Sequence, residues 1–127
     1  MSCMSFFNGI HFDMTIRYSI PLLAVALTLS GCAVSQERYE AGRTALEGSP
    51  KLKQEAINLC IKDAKTSSPT VLRNAALLAN TSAAAAPKVV CTRVYNAWAN
   101  GRLTYKDYKS AMTGDPTPAT IRIIQGR

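Results

Sequence analysis

A ten-residue stretch without charge, Ile20 to Leu29 (IPLLAVALTL), divides the chain and limits how much of it can fold. Arg17 precedes it, and Ser30 and Gly31 follow it, directly before Cys32. A positive start, an apolar run of about 7–15 residues and a small-residue cleavage site are the parts of a secretory signal. Residues 1–31 therefore read as a signal that leaves the protein, and the body must be built from residues 32–127. That length supports one small domain with a modest core. A membrane-spanning anchor is the alternative. Tyr18 to Val34 falls short of the ~20 apolar residues a spanning helix needs, and Pro21 lies inside it. Residues 1–13 (MSCMSFFNGIHFD) add Asp13 and no positive charge, whereas a start at Met14 gives the compact MTIRYSIPLL. Met14 is the expected initiator, and Met1 with a long leading region is the alternative.

Leu29-Ser30-Gly31-Cys32 resembles the lipobox of bacterial lipoproteins: an aliphatic residue, two small residues, then cysteine. The resemblance implies that the Cys32 thiol receives a diacylglycerol and that cleavage falls between Gly31 and Cys32. In such lipoproteins the new amino group is often acylated too. Each buried methylene is worth about 0.8 kcal/mol, so two or three chains on one residue hold the protein at the membrane. In enterobacterial lipoproteins an aspartate after the cysteine favours retention at the inner membrane. Ala33 stands there, which implies the periplasmic face of the outer membrane in a Gram-negative cell.

The remainder carries helix punctuation. Residues 32–48 open with polar residues and read as a lipidated, flexible tether with some helical character. Ser49-Pro50 is an N-cap followed by proline at the first helical position. Leu52, Ala56, Leu59, Cys60 and Ala64 then recur at helical spacing to about Lys65. Ser68-Pro69 repeats the start, with Val71, Leu72, Ala75, Leu78 and Ala79 apolar before Asn80. Ala83 to Ala86 reads as a connection. Pro87 opens a third helix to Asn100, with Val90, Cys91, Val94, Tyr95 and Trp98 on one stripe and Gly101 just past its end. Thr104 and Asp107 form a carboxylate variant of the capping box for a short fourth helix ending near Gly114. Residues 115–127 hold Pro116, Pro118 and Ile121 to Ile124 and read as a tail, extended or frayed. The pattern predicts an all-α fold: a small bundle of about four short helices over residues 49–114.

Cys60 and Cys91 both fall on apolar helix faces. Outside the cytoplasmic membrane an even pair usually forms a disulfide, so a bridge is expected. Its loop of about 31 residues suggests roughly 3–4 kcal/mol of stabilisation. Two unpaired buried thiols are the alternative. A redox role lacks a Cys-x-x-Cys motif, and zinc would need four ligands. No metal and no cofactor beyond the lipid is expected.

His11 is the chain's one histidine, and it lies ahead of Cys32. Nucleophilic catalysis through Cys–His or Ser–His is therefore not available to the body. Glu37, Glu40, Glu47, Glu55, Asp63, Asp107 and Asp115 are scattered along it, and no catalytic residue is expected. Arg17 and Asp13 cancel, so residues 32–127 keep the whole net charge of +7. A basic surface suits phosphate-rich partners, and export removes nucleic acid from that list. Arg93, Tyr95, Trp98, Arg102, Tyr105, Lys106, Tyr108 and Lys109 form the candidate contact surface. Aromatic residues at helical spacing also suit a core, which is the competing reading.

Asn100 to Tyr108 (NGRLTYKDY) resembles short C-terminal domains of the SHOCT type, which implies a role in assembly. The body also resembles, in a general way, small proteobacterial lipoproteins. The expected protein is a membrane-anchored envelope lipoprotein with a structural or interaction role, docking an envelope protein or anionic polymer. A periplasmic module that binds a small ligand or anionic polymer is the second expectation.

Overall fold

The computed structural model describes residues 34–127. The expected signal, the expected cleavage between Gly31 and Cys32 and the expected lipid site at Cys32 lie outside these residues. The described residues form six helices: α1 (Gln36–Gly48), α2 (Pro50–Ala64), α3 (Pro69–Ala79), α4 (Ala86–Ala99), α5 (Tyr105–Met112) and α6 (Pro118–Gln125). The all-α expectation holds, and the count of about four is corrected to six. The two additional helices fall where a tether and a tail were expected.

Serine or threonine starts five of the six. Ser35, Ser49, Ser68, Thr104 and Thr117 each accept a backbone N–H from the first turn, satisfying a donor that the helix leaves orphaned. Pro50, Pro69 and Pro118 sit in those first turns, where a missing N–H costs nothing. The helix α4 has no side-chain cap. Ser82 turns the chain into it instead, its carbonyl accepting from Ala85 and Ala86.

The missed helix α1 is polar on average because it carries an ion-pair ladder. Arg43 meets Glu40 at 2.9 Å and Glu47 at 3.2 Å. Its inner face is Tyr39, Gly42 and Leu46, at helical spacing. Tyr39 and Leu46 are buried, and Gly42 gives way to a neighbouring ring. An added Cβ at Gly42 would lie 2.8 Å from Cζ2 of Trp98.

The packing centres on α4, which touches α1, α2, α3 and α6. Cys60 on α2 is bonded to Cys91 on α4, with their Cα atoms 5.9 Å apart. Ala76, Ala79, Ala86, Ala97 and Ala99 are buried. Such small side chains let helices approach closely but bury little apolar area each. Ala97, Leu103 and Ile123 make a core cluster, with Val94 and Trp98 packed against it. Through Ile123 and Thr120, both buried, α6 becomes a wall of the domain.

Candidate functional site

Five aromatic side chains gather where α1, α4 and α5 meet. Tyr39 is at the centre and only 2% exposed. Its ring stacks on Trp98 at 5.2 Å. It also lies 5.5 Å from Tyr105 and 5.3 Å from Tyr108. Tyr95 adds a tilted contact to Trp98 at 5.8 Å. The Tyr39 hydroxyl donates to the Leu103 carbonyl at 2.6 Å, so the hub fixes the turn between α4 and α5. Burial, with Glu40 and Asp107 adding to it, pushes the Tyr39 phenol up to about 12. Burial also raises Tyr95, with Asp63 contributing. Trp98, Tyr105 and Tyr108 are half-buried. The indole Nε1 of Trp98 is buried without a hydrogen-bond partner among the described residues.

The eight residues of the candidate contact surface separate into groups. Trp98, Tyr105 and Tyr108 come together around Tyr39, and Tyr95 joins them through Trp98, as packing and as partly exposed surface. Sequence reasoning missed Tyr39. Its signal was the spacing to Leu46 on a helix hidden by charged neighbours. Lys106 and Lys109 are exposed on α5, and Lys109 Nζ sits 5.7 Å from the centre of the Tyr105 ring, within cation–π range.

Arg93 does something else. Its Nη1 donates to the carbonyls of Ala79, at 2.9 Å, and Ile124, at 2.6 Å. Those carbonyls belong to the C-terminal ends of α3 and α6, where the helix dipole is negative and a cation is favourable. Gly126, at φ +82°, brings its backbone against the same guanidinium. Arg102 donates to the Arg127 carbonyl. Together Arg93, Asn96, Asn100 and Arg102 line an open cleft of about 290 Å³, closed below by Ala97 and Ile123.

One acid has a defined task. Asp107 is buried, and its Oδ2 accepts from Thr104 N at 3.1 Å and Thr104 Oγ1 at 2.6 Å. Its Oδ1 accepts from Thr117 Oγ1 at 2.6 Å. Thr104 caps α5 and Thr117 caps α6, so a single carboxylate joins two helix starts. The Thr104 and Thr117 hydrogen bonds outweigh burial and hold Asp107 below the usual carboxylate range.

Among the described residues, no three His, Cys, Asp or Glu side chains gather to hold a metal ion. No helix among them is long and apolar enough to cross a membrane. Compared with family models, curated proteins and solved structures, the chain finds no match.

Proposed function

We propose that the protein is an exported lipoprotein, cut before Cys32 and anchored through lipid on that residue to the periplasmic face of the outer membrane. Its helical domain has a structural or protein-docking role without catalysis. The observation that carries the reading is Leu29-Ser30-Gly31-Cys32 directly behind the uncharged Ile20–Leu29 run. The bonded pair Cys60–Cys91 supports it, because disulfides persist in oxidising compartments. Three of the seven acids in residues 32–127 have structural tasks, which suits that role: Glu40 and Glu47 pair with Arg43, and Asp107 is taken up by the caps of two helices.

Metabolic labelling with a palmitate analogue tests the anchor. Label is expected on the wild-type protein and absent from a Cys32→Ser variant. Undiminished label on that variant overturns the reading. A second reading, a module that binds small anions or anionic polymers, draws support from the cleft between Arg93 and Arg102. It predicts binding that weakens steeply with salt.

A further inference from the structure

The lipid site and the first helix are separated by very little chain. Helix α1 begins at Gln36, so four residue steps join it to Cys32. Fully extended, they reach about 14 Å. A domain anchored at Cys32 therefore keeps the start of α1 within about 14 Å of the lipid-bearing residue. What surrounds that start faces the lipid.

Helix α4 flanks it through Trp98, and α5 flanks it as well. Tyr39 is in the first turns of α1, and its ring contacts both Tyr105 and Tyr108. Outward from that contact, α5 exposes Lys106, Lys109 and Met112, the last 61% exposed. Met112 follows Tyr105 by seven residues and Tyr108 by four, so it continues their stripe on the helix. Lysines beside tyrosines and an exposed apolar side chain are the chemistry of a helix lying in a membrane interface. The charges agree. Arg38 is exposed beside Glu37 in the first turn of α1, Glu40 is bound by Arg43, and Asp107 is buried. Asp115, exposed just past α5 with its N–H donating to the Ser110 carbonyl, offsets one of the two exposed lysines of α5.

We infer that α5 is the membrane-facing surface, with Lys106 and Lys109 on anionic headgroups and Met112 at the acyl boundary. This inference rests on lipidation of Cys32. The test uses the lipidated protein, purified and reconstituted on vesicles of phosphatidylethanolamine and phosphatidylglycerol. Flotation reports the anchor, and lysine acylation read by mass spectrometry reports the orientation. Lys51 and Lys88 are the exposed references, at the starts of α2 and α4. Lys106 and Lys109 are expected to react about fivefold more slowly than the references, as lysines held at an anionic leaflet should. A Gly-Ser insertion of about ten residues between Val34 and Ser35 lengthens the connection and should remove most of that protection. A protein that floats while Lys106 and Lys109 react like Lys51 and Lys88 keeps its anchor and overturns the orientation, leaving α5 free for a protein partner. Protection at Lys51 or Lys88 instead also overturns it. A protein that does not float removes the anchor and the orientation together.

Discussion

Replacing Asp107 tests whether one carboxylate holds the C-terminal third of the domain together. Asp107→Ala removes the acceptor of three hydrogen bonds, two from Thr104 and one from Thr117. A hydrogen bond to a charged group contributes about 1.5–3 kcal/mol. Thr104 is exposed and Thr117 half-exposed, so their hydroxyls can turn to water, and the sum must be discounted to about 3 kcal/mol. For a domain of this size that lowers the melting temperature by about 12–24 °C. Asp107→Asn keeps the shape and one acceptor and should cost about 1 kcal/mol, the scale of a neutral hydrogen bond. The charge has its own signature. The folded carboxyl is held below its ordinary value, so its contribution is complete above the unfolded value of about 3.9 and is lost as pH falls through the folded value. Urea unfolding of wild type and Asp107→Asn, followed by circular dichroism, should show a gap that is widest near pH 7 and closes toward pH 2. A gap unchanged with pH, or an Ala variant within about 0.5 kcal/mol of wild type as for an ordinary surface change, would refute the joint.

The 31-residue separation of Cys60 and Cys91 corresponds to about 3.7 kcal/mol in the chain-entropy account. A Cys60→Ala/Cys91→Ala pair should lose roughly that much in equilibrium unfolding. Two alkylatable thiols in the non-reduced protein would remove the staple. On an open helix Gly42→Ala would stabilise by about 1 kcal/mol. Here the new methyl meets Trp98 at 2.8 Å, and overpacking of about 1–3 kcal/mol should make the change neutral to destabilising. In a Trp98→Leu background the same change should recover its ordinary benefit, measured as a double-mutant cycle. Equal effects in both backgrounds would mean that the ring does not set the glycine.

Helices α2, α3 and α5 were legible because each announces itself by a cap and an apolar stripe, and α4 by Pro87 and its stripe alone. Ser49-Pro50, Ser68-Pro69 and Thr104-x-x-Asp107 all act as the spacing predicted. The same signal stood at Thr117-Pro118. It was masked by Pro116 and by the β-branched run that follows, which suits a strand when judged locally. Burial of Thr120 and Ile123 against the bundle decides otherwise, as tertiary packing routinely does over propensity. The role of Arg93 could not be read from sequence at all. Its partners are backbone carbonyls 14 and 31 residues away, and no side-chain pattern marks them. The Asp107–Thr117 contact fails to show for the same reason: it depends on where α6 lands.

On the proposed reading the helix α1 sets how far the domain stands from its anchor, and it was hidden by its own surface. One of its three inward positions is glycine, which reads as a breaker. The others are separated by charges that satisfy each other along the outer face. As a flexible tether of 17 residues, this segment would let the domain roam about 23 Å from its lipid. As a helix packed on α2, α4 and α5, it leaves a chain length of about 14 Å at most between Cys32 and Gln36. A tether suits a protein that reaches across the periplasm toward a distant partner. A packed helix suits one that works in the plane of its own membrane. On the lipidation reading and the orientation inferred from it, the Tyr39–Trp98 contact and the space left by Gly42 do more than fill a core: they seat α1, and with it the anchor, against α4 and α5.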